Sequence, residues 1–344
     1  MNRRSRLTSA ALASAALTVS VAACAASTTY VATYGSDANS CSVAQPCRSF
    51  SGALTQASDG GQIVVLDSGG YGPVQIDKSV SIVAPEGVYA GISVFTGAGV
   101  TITVPAEVRL VGLNIVGFGS LGESGVHVAA GGPVSIERST ISGFDGGGSA
   151  IIYDHFPGSL RIVGSTLHSN TASAGNTTVD IVIDHSRFIE GALGGMHAGI
   201  TDSLFAFTEV DILGLGINGN GSGWVERSIF SDASLVVIGS APPQSTSVSV
   251  SRSSFVRSGI DVGVGLNGGL ALIVESSTFV DYSGSAVRFF DNDPSQRITL
   301  SNNVVVRNGG GATSVYGLPF ESRGNNTIRS NGTDGGPFVA VPGM

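Results

Sequence analysis

Lysine is nearly absent from this chain: Lys78 is the only one in 344 residues, and charged residues of both signs make up 12%. The net charge is −8, and becomes three units more negative if Arg3, Arg4 and Arg6 leave with an N-terminal leader. So little positive charge argues against a nucleic-acid partner, and against direct binding of an acidic polysaccharide, because phosphate and uronate would find few cations. Neutral sugars, or acidic ones bridged by divalent cations, stay compatible. Tryptophan occurs once, as Trp224, and cysteine three times. The shortage of charge, beside 50 Gly and abundant Val, Ile, Ser and Thr, is wrong for a helical protein. It suits short strands joined by tight turns.

Residues 1–26 read as a leader: three arginines, then an uncharged run from Leu7 to Ala23, then small residues. Val21-Ala22-Ala23-Cys24 resembles a bacterial lipobox, which makes Cys24 a candidate lipidation site. Ala23-Cys24-Ala25 equally reads as an ordinary cleavage site that discards the cysteine. Both readings make the chain exported, whether periplasmic, outer-membrane-associated or extracellular, and a membrane is met only through an N-terminal lipid. Cys41 and Cys47, six apart, then read as a small structural disulfide. Two cysteines without a nearby histidine make a poor zinc site.

What the sequence has in quantity is one short phrase: apolar, any, any, Ser or Asn, any, apolar. It occurs nine times between Leu110 and Val305, with Leu113 in the polar slot of a degenerate first copy. The slot then holds Ser139, Ser165, Ser186, Ser203, Ser228, Ser253, Ser277 and Asn303, at steps of 17 to 26 residues. A repeat of this length implies stacked units that bury their apolar faces against one another. Apolar pairs two apart, such as Val134/Ile136 and Val248/Val250, place one strand before the phrase. The slot opens a second strand, and a further alternation, as in Val126/Val128 and Ile260/Val262, marks a third. Three short strands per coil of about 25 residues describe a parallel β-helix. A leucine-rich repeat shares the spacing of the phrase, but its helical or Leu-rich return does not fit the Gly-rich return here.

The expected fold is thus all-β: a right-handed parallel β-helix solenoid of about ten coils with a short N-terminal capping helix. That helix is placed by Phe50, Ala53, Leu54 and Ala57 at helical spacing. The expected organisation is leader 1–26, cap and first coil 27–79, parallel β-helix 80–330 and C-terminal tail 331–344.

With these residues laid out, the chain resembles the right-handed parallel β-helix superfamily typified by pectate lyases. It is nearer to exported bacterial β-helix repeat proteins without assigned activity. Tyr34 to Asn39, Pro46 to Phe50 and Ile63 to Tyr71 carry the likeness to the cap region of that group. The resemblance implies a substrate cleft along the third-strand sheet. It implies for a lyase clustered acidic residues that hold calcium and an Arg or Lys base.

The Ser/Asn column reads as an internal hydrogen-bonding ladder and not as a nucleophile row. Candidate ligand-binding residues are instead the outward polar groups of the third strand: His127, Asp154, His155, His197, Asp261 and Arg288. No complete catalytic set can be assembled from them, and no cofactor signature is evident; calcium enters only with the lyase alternative. Trp224, outward between Gly223 and Val225, could stack on a sugar but needs no special role. The functional expectation is a cell-envelope or secreted protein, carbohydrate-binding or surface-structural, with a polysaccharide or cell-surface glycan as partner. The alternative is a polysaccharide lyase or glycoside hydrolase working on the outward third face. Nothing in the repeat indicates an oligomeric state.

Overall fold

A computed structural model describes residues 27–118, 124–144, 148–154, 156–168, 173–174, 179–195, 197–213, 222–239, 245–264, 269–289, 296–314, 320–334 and 338–341. The leader, Cys24 and His155 lie outside the described residues. Strands stack in parallel into three faces: a 14-stranded first sheet, a 16-stranded second sheet and a 5-stranded third sheet. The third face begins as that separate sheet, from Val74–Ile76 to Ser173–Ala174. It continues as a branch of the second sheet through Ser234–Gly239, Gly259–Val264, Val287–Phe289 and Thr313–Ser314. The architecture is a parallel β-helix.

Among the described residues of 80–330, eight turns carry a separate strand on every face, against about ten coils expected. Two turns in the middle merge the second and third strands into Arg187–Gly195 and Leu204–Leu213, and only the first of them is short. The 17-residue step arises because Arg187–Gly195 is followed after one residue by the first-sheet strand His197–Thr201. What the short coil drops is the connection from third face to first. The segment read as a tail adds one more first-sheet strand, Phe338–Ala340, paired with Phe320–Ser322.

The repeated phrase builds a corner. In nine successive turns the residue before the polar slot has positive φ: Gly112, Arg138, Gly164, His185, Asp202, Arg227, Arg252, Ser276 and Asn302. One left-handed residue reverses the side-chain alternation, so the slot side chain enters the interior on the new strand. There each side chain accepts from the backbone N–H of the previous turn's slot, from Leu113 N–H to Ser139 Oγ (3.1 Å) through Ser277 N–H to Asn303 Oδ1 (2.9 Å). Asn326 continues the ladder one turn beyond the phrase, taking Asn303 N–H at 2.8 Å.

A second ladder follows five residues later. Ala233 N–H donates to Ser258 Oγ (3.0 Å), Tyr282 N–H to Asn308 Oδ1 (3.0 Å) and Asn308 N–H to Asn331 Oδ1 (2.9 Å). Its left-handed pivots are Gly143, Glu190, Asp232, Arg257, Asp281, Arg307 and Ser330. Inside the second strand, Phe188, Phe205, Phe230, Phe255 and Phe279 stack with centroids 5.1, 4.9, 4.8 and 4.6 Å apart, the strand spacing itself.

The helix Phe50–Gln56 covers the N-terminal end of the stack, burying Phe50, Ala53 and Leu54. Ser49 caps it by accepting from Gly52 N–H at 3.0 Å. The single lysine serves its other end: Lys78 Nζ donates to the carbonyls of Leu54 and Ala57 at 3.3 and 3.4 Å. Cys41 and Cys47 are disulfide-bonded and buried beside this cap.

Candidate functional site

The third face does not bring together the five expected residues that are described. His127 lies on Ser124–Val128, in register with Thr101 and Ile152 of the neighbouring turns. Asp154 follows Ser149–Tyr153 and stands two residues past Ile152, so both side chains face outward. The His127 Nε2 to Asp154 Oδ2 distance is 2.9 Å, a partly exposed pair bridging adjacent turns. Five turns further along, roughly 24 Å at ~4.8 Å per turn, Asp261 and Arg288 form their own pair in register across Gly259–Val264 and Val287–Phe289. Arg288 donates to both carboxylate oxygens, at 2.7 and 2.6 Å. Asp261 is 8% exposed by side chain, and the guanidinium lies 5.9 Å from the centroid of Tyr282. The Asp261 hydrogen bonds raise the pKa of Arg288, and burial raises that of the Tyr282 phenol.

His197 is a correction. Its strand belongs to the first sheet, in register with Asp180 and Ser222. The third-to-first connection is so short here that counting residues along the coil assigns it to the wrong face.

An aromatic ledge was missed in the sequence. Phe95 and Phe118 stack 5.3 Å apart at the corner between second and third faces, 67% and 61% exposed. Phe118 N–H donates to the Val94 carbonyl at 2.8 Å, so the two belong to consecutive turns. Val94 and Gly117 point inward, and with no left-handed pivot the next residue must point out. Phe144, one turn on, follows the left-handed Gly143 and is buried. The legible signal was parity: a large apolar residue directly after an inward one. Phe118 shares its turn with His127 and Phe95 with Thr101, so ledge and pair belong to one end of the third face.

Other charges cluster at the two corners. Arg227 clasps Asp202 at 2.8 and 2.7 Å, Arg257 clasps Asp232 at 2.7 and 2.5 Å, and Arg307 clasps Asp281 at 2.6 and 2.9 Å. The hydrogen bonds from arginine hold all three carboxyls below the usual range. Arg252 joins the first corner by pairing with Glu226. Asp184, His185 and Asp202 place potential metal-ligand atoms within 4.8 Å of one another. Their carboxylates are already engaged: Asp184 accepts from Thr201 Oγ1 at 2.6 Å and Asp202 from Arg227. This reads as a salt-bridge ladder on exposed corners.

No protein-family model matches the chain, and comparison with curated proteins returns no match. Solved structures do match in outline. A rhamnogalacturonan lyase is similar at 13% identity over 91% of this chain and 89% of its own, with a TM-score of 0.46. The pectate lyase Pel9A is similar at 15% identity over 91% and 81%, with a TM-score of 0.40. A GH136 lacto-N-biosidase from Eubacterium ramulus is similar at 12% identity over 92% and 67%, with a TM-score of 0.49. The likeness is one of architecture. The parallel β-helix stands on this chain's own strand register, and no activity follows from neighbours so distant.

Proposed function

We propose that this protein is an exported β-helix that binds carbohydrate at the N-terminal end of its third face. The observation that carries the reading is the exposed Phe95–Phe118 ledge at the same end of the third face as the outward His127–Asp154 pair. Exposed stacked aromatics next to hydrogen-bonding polar groups suit the alternately apolar and hydroxylated surface of a sugar. A structural surface role would not call for two phenylalanines in water at a corner where the next turn buries its own. Export is supported by the charged and then apolar leader and by the disulfide. The Asp261–Arg288 pair is too far along the rod to share a short ligand with His127.

A lyase or hydrolase is the second reading, and one observation favours it. A carboxylate hydrogen-bonded to one ring nitrogen of His127 is the arrangement that orients an imidazole for acid–base work. Calcium belongs to this reading only.

Glycan-array binding, run with cleavage assays on uronate and neutral polymers with and without calcium, separates the two. Retention lost in Phe118→Ser and without any cleavage supports binding. Turnover abolished in His127→Ala would replace it with the enzyme. Retention indifferent to both substitutions would reject the third face as the site.

A further inference from the structure

The outward side of the first sheet carries a second feature that the fold does not require. Register aligns Gly199, Trp224, Ser249 and Ile273 in one column across four consecutive strands. The indole does not stand off the sheet. A Cβ at Gly199 would lie 2.2 to 2.7 Å from three atoms of its six-membered ring, so the ring leans back over that glycine. Glycine at 199 leaves the space that lets it do so. Trp224 nevertheless remains 49% exposed, and Ile273, two strands away, 44%. Serines lie between and beside them: Ser249 in the same column, Ser222 and Ser247 in the next, all exposed.

Packing against Gly199 accounts for the tilt of the ring. It does not account for a second exposed apolar side chain in the same column, two turns away and separated from the first by a hydroxyl. Two strand spacings are roughly 9.6 Å, comparable with two pyranose rings of an extended chain. Charge narrows the class of ligand. None of these positions is charged, and the flanking corner column carries the carboxylates Glu226 and Glu275. Glu226 is already paired with Arg227 and Arg252, so the strip itself offers a polyanion no cation, whereas hydroxyls would be met by serines and sugar faces by the indole.

We propose that this strip is a second glycan-binding surface, centred on Trp224, which takes an uncharged polysaccharide chain lying along the solenoid axis. It shares no residue with the third-face site and does not rest on that reading. With both, one molecule would hold two chains and link them.

The lone tryptophan makes the test direct. The full chain is titrated with cello-, manno- and xylo-oligosaccharides, with oligogalacturonate as the charged control, while its emission is recorded. Retention on the matching insoluble glycans is measured in parallel. At least one uncharged oligosaccharide should shift the emission, and Trp224→Ala should lower retention at least tenfold, with Trp224→Phe in between. Ser249→Glu, which leaves the indole in place, should abolish the emission shift at unchanged melting temperature. A shift that persists in Phe118→Ser separates this surface from the third face. Emission unmoved by every uncharged glycan, or moved only by oligogalacturonate, would overturn the proposal. So would a shift that appears with protein concentration alone, which would assign the strip to a second copy of the chain.

Discussion

Arg288 reaches back one turn to Asp261 and holds both carboxylate oxygens, at 2.7 and 2.6 Å. The two are 27 residues apart in sequence and directly opposed in register. Asp261 is the one acidic or basic residue among the buried ones described. Removal of its partner leaves an uncompensated buried carboxylate. Arg288→Ala should therefore cost about 3 kcal/mol, the lower end for a broken buried pair because the guanidinium is partly exposed. Asp261→Asn combined with Arg288→Met should recover at least half of it. Denaturant unfolding of the three variants checks this, and a double variant no better than the single would refute the pairing argument.

The first ladder predicts a tolerance as well as a loss. Ser228 Oγ accepts from Ser203 N–H at 3.2 Å and donates to the Glu226 carbonyl at 3.0 Å. Ser228→Ala leaves a buried N–H unsatisfied and should cost about 1–3 kcal/mol. Ser277→Asn should cost much less, since Asn303 and Asn326 already fill the slot in the next two turns. Equal losses from the two substitutions would mean that slot volume matters and the hydrogen bond does not.

Phe230 packs between Phe205 and Phe255 with centroids 4.9 and 4.8 Å away. Phe230→Ala should cost about 3–5 kcal/mol, because flanking rings on stacked strands cannot close the gap. Phe230→Leu should cost about 1.5 kcal/mol or less. Thermal melts of both variants give the ratio, and a small effect of the alanine would show that the turns can collapse.

Asp202, Asp232 and Asp281 have folded-state pKa values below the ordinary 3.8, chiefly through hydrogen bonds from arginine. A depressed carboxyl contributes stability that is fully present above its unfolded pKa and is lost as pH falls through its folded one. The melting temperature should thus be flat with respect to these groups above about pH 5 and decline below about pH 4. Asp232→Asn with Asp281→Asn should make that decline shallower, and added salt should do the same. A loss of stability beginning near pH 6 would refute the assignment to these carboxyls.

Much of the architecture was legible because a parallel β-helix writes its cross-section into the chain. The slot residues recur at coil length, and the apolar pairs show which strands face inward. Ser258, Asn308 and Asn331 form the second ladder with the same chemistry, yet they were not read. Their column is interrupted by Ala233 and Tyr282, so no repeated letter marks it. His197 was misplaced because face assignment by counting fails where a connection shortens to one residue. Phe95 and Phe118 were legible only to parity, since nothing in the phrase distinguishes them from the buried Phe144.

By itself the sequence determined the strand-forming composition, the coil length, the inward ladder and the capping helix at Phe50–Gln56. These depend on residues close in sequence or on repetition, and both can be read along a line. Tertiary structure alone decided which outward residues meet. His127 finds Asp154 and Trp224 lies over Gly199 because contacts on a solenoid form between turns, at an offset of one coil. That offset varies from coil to coil with the lengths of the connections, and a single misjudged connection moves a side chain to another face.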